Sequence, residues 1–246
     1  MSRFSKNLSF VLNSARSKAN PIVFFGIGNY GSLSSRNSIG IRAVNQFVHK
    51  FGMKWVDFPQ SCAKLAYSPE NHLLFVKADT YLARNNFEVL KRLMILLPNI
   101  KTETFCAVHY EHLFKLGIVE GVFGGRTRHN ECLHGITSVF QTEKYHRIPI
   151  GIAHPIDDIS YEPTPYSLGD VYLDTVKPYV LNRFPDVQME LVDKVVVPYA
   201  VNEIMQMISK IRSETSQREV TESDIRNELQ NFKSPRVDYN NIDTIN

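Results

Sequence analysis

Short apolar runs alternate along this chain with stretches of helical period, and that alternation narrows the fold more than any other feature. "PIVFFGIG" at 21–28 is apolar and ends in glycines. It has the length of a buried strand and falls far short of the roughly 18 residues a membrane helix needs. "SIGIRAVNQFVHKFG" at 38–52 carries Ile39, Val44, Phe47 and Val48 near helical spacing and stops at Gly52. "HLLFVKA" and "TFCAVHY" read as strands, with the amphipathic "NFEVLKRLMILL" between them. "GIVEGVF" reads as a further strand, "LHGITSVF" as a short helix, and "RIPIGIAHP" as a strand stopped by Pro155. Strands that alternate with helices predict an α/β fold, a single domain with a mixed, twisted sheet flanked by helices.

The C-terminal third reads differently. "YEPTPYSLGD" is a Pro-rich loop, and "VYLDTVKPYVLNRF" and "MELVDKVVVPYAVNEIMQMISKI" are helical patterns. Pro198 stands inside the second pattern, so that helix is expected to start or kink there. From Ser213 onward the chain is polar. The expected organisation is a basic leader at 1–20, a domain at 21–212 and a polar tail at 213–246, with no internal repeat.

The leader carries its own signal. The first acidic residue of the chain is Asp57, and eight Lys and Arg residues precede it. Phe4, Leu8, Val11, Leu12 and Ala15 recur at helical spacing among Ser, Asn, Arg and Lys. An acid-free amphipathic helix bearing Ser and Arg has the composition of a mitochondrial import signal, which predicts a matrix protein; a basic leader on a cytoplasmic protein is the alternative. Apolar residues make up 43% and charged residues 22%, enough apolar content for a packed core. The net charge of +3 permits an RNA partner without requiring one. Three cysteines at irregular spacing form no disulfide framework.

Five motifs, in order, with a strand and a C-terminal segment after them, resemble the bacterial-type peptidyl-tRNA hydrolase family. The family's G-L-G-N-P-G resembles Gly26-Ile27-Gly28-Asn29-Tyr30-Gly31, and its T-R-H-N-x-G resembles Ser35-Arg36-Asn37-Ser38-Ile39-Gly40. K-P-x-T-Y-M-N resembles the stretch from Lys77 to Ala83, and V-H-D-E-L-D the stretch from Val108 to Leu113. G-H-N-G-L-x-S-I is similar to Leu133-His134-Gly135-Ile136-Thr137-Ser138-Val139. The strand from Tyr145 to Pro155 is nearly the family's F-H-R-L-R-I-G-I-G-H-P, and Tyr179 to Phe184 resembles its D-Y-V-L-x-x-F. The resemblance covers roughly residues 21 to 210. It implies the peptidyl-tRNA hydrolase fold and a site that accepts the ester between a peptide and the 3′ end of tRNA.

The same resemblance implies that the chemistry has changed. The family draws a proton from water with the T-R-H-N histidine, oriented by the V-H-D-E aspartate; such a base is worth about 10²–10⁴ in rate. On this alignment the histidine becomes Asn37, the aspartate Tyr110, the asparagine of Y-M-N Ala83 and that of G-H-N-G His134, while Asn29 survives. An amide cannot accept a proton near pH 7. The expectation is therefore a protein that has lost hydrolysis and binds tRNA, another RNA, or a mitochondrial ribosomal or RNA-processing assembly. One alternative is an active, divergent hydrolase with a relocated histidine base, His134 being a candidate. Another is a protein-interaction scaffold.

Arg126, Arg128, Lys144, His146 and Arg147, with Lys115 nearby, cluster around the segment that resembles the family's RNA-facing rim, where cations grip phosphates. Tyr30, in place of the family's proline, is a candidate to stack on a base. Cys106, His109 and His112 have metal-ligand residue types, with His129, Cys132 and His134 further on. Strand alternation sends Cys106 and His109 to opposite faces, which suits no tetrahedral site. No metal and no cofactor is expected.

Overall fold

Strand β1, Ile22–Gly26, buries every one of its side chains. Such a strand must be covered on both faces and hydrogen-bonded on both edges. It pairs in parallel with β4 (Leu73–Ala78) on one side and β5 (Phe105–Glu111) on the other. β7 (His146–Gly151) continues the parallel set beyond β5. The structure is a computed structural model that describes residues 3–17, 20–125, 130–158 and 176–215.

Antiparallel strands finish both edges. β2 (Val56–Phe58) and β3 (Ala63–Ser68) form one edge, and β6 (Val122–Phe123) the other, giving the order β2-β3-β4-β1-β5-β7-β6. The mixed sheet flanked by helices is the fold class that the alternation implies.

Helices α2 (Ile39–Lys50) and α7 (Val197–Glu214) cover one face. There Phe24, Phe47 and Phe75 stack, with ring centroids 5.3 Å apart for Phe24–Phe75 and 4.6 Å for Phe47–Phe75. Helices α1 (Arg3–Ser17), α3 (Asn86–Leu96) and α4 (Glu131–Phe140) cover the other, over Val23, Phe25, Val76 and Phe105. The two-residue period of β1 thus feeds two separate cores, and truncating one of these Phe side chains to Ala costs about 3–5 kcal/mol.

The loops at the carboxyl ends of β4, β1 and β5 meet at one end of the sheet. The crossover after β1 runs on one face and that after β4 on the other, so the chain opens a crevice there. α2 is drawn tightly into this end. A Cβ on Gly40 would lie 2.1 Å from the Val108 carbonyl oxygen, so only glycine lets the start of the helix touch the end of β5.

Several sequence expectations shift. "GIVEGVF" yields only the two-residue β6 plus a bridge from Val119 to Ile150, because Gly117 at φ +92° and the close seat of Gly121 against Glu203 and Met207 break the run. The edge strands β2 and β3 went unread. The last helical pattern continues without a break from α6 (Asp186–Leu191) through a π-helical segment, Val192–Val196, into α7. The wider turn before Pro198 takes up the clash and missing donor that a proline brings, so the helix neither starts nor stops there. A short α5 (Lys177–Leu181) precedes α6.

The amphipathic pattern at the N-terminus is helical, and α1 packs against β2 and β3. Val11 and Ala15 are buried, the Tyr67 hydroxyl donates to Ser14 O at 3.2 Å, and Asn99 Nδ2 donates to Ala15 O at 2.9 Å. The boundary drawn at residue 20 therefore separates a helix from the core it covers. The Pro-rich loop and most of the polar tail lie outside the described residues.

Candidate functional site

A cavity of about 210 Å³ opens at the crevice, and Asn29, Asn37, Ala83 and Tyr110 all line it. Four positions separated by up to 81 residues in sequence thus share one wall, as the motif order implied. The loops that carry them are tied by polar contacts. Asn29 Oδ1 accepts from the Ala83 N–H at 2.5 Å, and the Tyr30 N–H donates to Thr80 O at 3.0 Å. Gly28 N donates to Asn86 Oδ1 at 2.9 Å, and Asn86 Nδ2 to Thr80 Oγ1 at 2.6 Å.

Asn37 sits in a 3-10 turn, Arg36–Ser38, and is 4% exposed. Ser35 Oγ lies 2.6 Å from Ser32 O, 2.7 Å from the Asn37 amide and 2.9 Å from Ser38 Oγ. Ser38 Oγ accepts from the Asn29 N–H at 2.9 Å and lies 3.3 Å from the same amide. A hydroxyl has one proton to give. With the amide oxygen against Ser35, two acceptors would face that single proton. With the amide turned over, its NH₂ serves both serines and the Ser35 proton goes to the Ser32 carbonyl. On this proton count Asn37 presents its carbonyl oxygen to the cleft.

The neighbouring Arg36 points away from the cleft and is 2% exposed. It donates to Arg183 O at 2.8 Å and Asp158 Oδ2 at 3.0 Å, and its guanidinium lies 4.1 Å from the centre of the Tyr179 ring. The Tyr179 hydroxyl lies 2.9 Å from the same carboxylate oxygen, and Gln188 Nε2 donates to Asp158 Oδ1 at 2.9 Å. A charge this deep is tolerable because its two terminal nitrogens are paired and hydrogen-bonded, although Arg36 Nε is buried without a hydrogen-bond partner.

Tyr110 ends β5 and is 8% exposed. His109 lies on the opposite face of the strand, fully enclosed, with Nδ1 2.7 Å from the Tyr110 carbonyl. That contact places the proton on Nδ1, and burial pushes the imidazole down to about 3, so it stays neutral. It does not line the cavity.

His134 requires a correction. It lies on the exposed side of α4 and does not line the cavity. Asn130 does. Asn130 caps α4, its Oδ1 accepting from the Leu133 N–H at 3.2 Å, and is 5% exposed. The asparagine that opens the helix stands four residues before His134. Lys177, which the sequence reading missed, also lines the cavity, with Arg84 and Glu131. Arg84 and Glu131 face each other at 3.9 Å.

The proposed RNA rim is altered as well. Arg126 and Arg128 lie outside the described residues, as does His129. Lys144 and Lys115 are exposed. His146 and Arg147 are buried, because β7 is covered on both faces. Arg147 donates from Nη2 to the Gly124 and Gly125 carbonyls, which bind it to the chain leading into 126–129. His146 Nε2 lies 3.5 Å from Glu214, and burial lowers its pKa. Neither side chain is placed to meet a phosphate on an open surface. Among the described residues no group of three His, Cys, Asp or Glu side chains converges for a metal. Among the described residues no helix is long and apolar enough to cross a membrane.

Comparison with known proteins follows this geometry. Residues 23–228 match the family described as peptidyl-tRNA hydrolase. The chain is similar to the Arg119Gln mutant of peptidyl-tRNA hydrolase from Acinetobacter baumannii, at 18% identity and a TM-score of 0.61, over 78% of this chain and 93% of that one. It is also similar to peptidyl-tRNA hydrolase from Acinetobacter baumannii without that substitution, at 20% identity and a TM-score of 0.58, over 75% and 94%. A complex of peptidyl-tRNA hydrolase with N-propanol gives 18% identity and a TM-score of 0.61, over 78% and 92%. No curated protein sequence matches the chain.

Proposed function

The chain belongs to the peptidyl-tRNA hydrolase family, and on that premise we propose that it binds the acceptor end of tRNA, or a similar single-stranded RNA end, without hydrolysing an ester there. One observation carries the reading. Asn37 and Tyr110 both face the cavity, and no histidine lines it among the described residues. Water attacking an ester must lose a proton, and neither an amide nor a phenol of ordinary acidity takes one near pH 7. The exposed position of His134 on α4 argues against a base relocated there.

The reading extends to a mitochondrial ribosomal or RNA-processing assembly in the matrix, which rests on the acid-free basic helix at the N-terminus. Import of the full chain into isolated mitochondria, compared with a chain lacking residues 1–20, tests that part.

Peptidyl-tRNA hydrolysis by the full chain, beside a variant carrying Asn37→His and Tyr110→Asp, tests the central claim. The native chain is expected to bind tRNA and leave the ester intact. Turnover by the native chain at an enzymatic rate sinks the proposal, and failure to bind any RNA sinks its other half.

A further inference from the structure

Charge around the cavity is unevenly balanced. Two cations, Lys177 and Arg84, line it against one carboxylate, Glu131. Arg84 is the cation that faces Glu131, which leaves Lys177 with no carboxylate partner among the described residues. Where the family resemblance implies an aspartate on β5, Tyr110 adds no negative charge. The cleft is therefore the reverse of one built to raise a base, and suits an anion.

The donors agree with the charge. Asn130 Nδ2 is buried and has no hydrogen-bond partner, although its residue forms part of the cavity wall. Its Oδ1 is fixed by the cap of α4, so the NH₂ cannot turn away without uncapping the helix. Asn29 is held in the same sense, its Oδ1 engaged by Ala83 and its NH₂ left over. A buried donor left unsatisfied is costly, and a ligand oxygen would recover that cost. The N-terminus of α4 opens on the same wall and favours negative charge.

Resting on the RNA reading, we infer that this cleft grips a terminal phosphate of a single-stranded RNA between Lys177 Nζ and Asn130 Nδ2. Two aromatic rings favour RNA over a peptide carboxylate. Tyr30 is 45% exposed and Tyr81 79% exposed. A Cβ on Gly31 would lie 3.4 Å from the Tyr81 ring, so that ring lies over the loop that carries Asn29. Flat exposed rings beside a cationic cleft accept stacked bases of any sequence. The Asn37 carbonyl, turned to the cleft, offers an acceptor for a ribose hydroxyl, the group that separates RNA from DNA.

The test uses the full chain and short RNA strands that differ only in their ends: 3′-hydroxyl, 3′-phosphate and 5′-phosphate. A peptide ending in a carboxylate and the same peptide ending in a carboxamide complete the set. One phosphorylated end is expected to bind about tenfold more tightly than the 3′-hydroxyl strand, the scale of one charge-assisted contact. Lys177→Met should abolish that preference, weakening the phosphorylated strand far more than the 3′-hydroxyl strand, while Lys177→Arg keeps most of it. Equal binding of all three strands overturns the inference and leaves the RNA reading standing. Absence of binding to every strand overturns both. A Lys177-dependent preference for the peptide carboxylate makes the cleft a peptide site and overturns the inference too.

Discussion

Arg36 and Asn37 are consecutive in the chain, yet they belong to two regions with different histories. Behind the cleft, Arg36, Asp158, Tyr179 and Gln188 form a largely buried, hydrogen-bonded cluster. It joins the turn before α2, the loop after β7, and helices α5 and α6. In front, Asn37, Ala83, Tyr110 and Asn130 form a wall of neutral side chains. The cluster holds the shape of a cleft, and the wall sets what the cleft can do. Truncating a side chain of the wall strands no charge; truncating Arg36 in the cluster leaves a carboxylate in the interior without its cation.

That contrast can be broken most directly at Arg36. Arg36→Ala leaves Asp158 buried and unpaired and is expected to lower unfolding free energy by about 3–5 kcal/mol in a urea titration. Adding Asp158→Asn should restore part of the loss, since no charge then remains uncompensated. A loss below about 1 kcal/mol for the single change would mean that the cluster does not support the cleft.

At the wall the expected effect is on chemistry. Asn37→His with Tyr110→Asp should raise hydrolysis of peptidyl-tRNA by about 10²–10⁴ over the native chain, while loss of the buried Tyr110 ring lowers stability by about 2–4 kcal/mol without unfolding the chain. Gain of activity together with global unfolding would erase the distinction between the regions.

Strand β5 sharpens the comparison through pH, since His109 faces the interior where Tyr110 faces the cleft. His109 is held down to about 3 by burial, below the ordinary 6.5 of the unfolded chain. Between those values the unfolded state binds the extra proton. Stability is therefore full above about pH 6.5 and falls as pH drops toward 3, with a limiting slope of about 1.4 kcal/mol per pH unit from this group. His109→Gln should flatten that part of the profile, while Tyr110→Phe leaves it unchanged. The lowered His146 adds to the slope in the same direction. The smallest effect is the cap: Asn130→Ala should cost about 1 kcal/mol of stability, measured by the same titration, and Asn130→Asp, which still caps but presents an acceptor, should weaken RNA binding far more than folding.

The central parallel strands were legible because both faces are buried and the runs are unbroken. β2 and β3 were not, since Val56–Phe58 is three residues long and Lys64 and Tyr67 interrupt the apolar pattern of an edge strand. Asn29, Asn37, Ala83 and Tyr110 could be placed because each stands at the end of a readable strand or the start of a readable helix. Asn130 was missed because an insertion precedes it and a nearby His-Gly offered matching letters. Lys177 gave no signal: it reaches the cleft only through the turn that the Arg36 cluster imposes on α5. His146 and Arg147 were misread because a basic sequence looks like surface until both faces of its strand are known to be covered.

The N-terminal helix carries a consequence of its own. Val11 and Ala15, its buried residues, lie against the sheet, and any receptor that reads the apolar stripe of this helix must take the same side chains. Docking and recognition are mutually exclusive. The stripe is open on a chain whose sheet has not yet formed, and covered once the helix has docked.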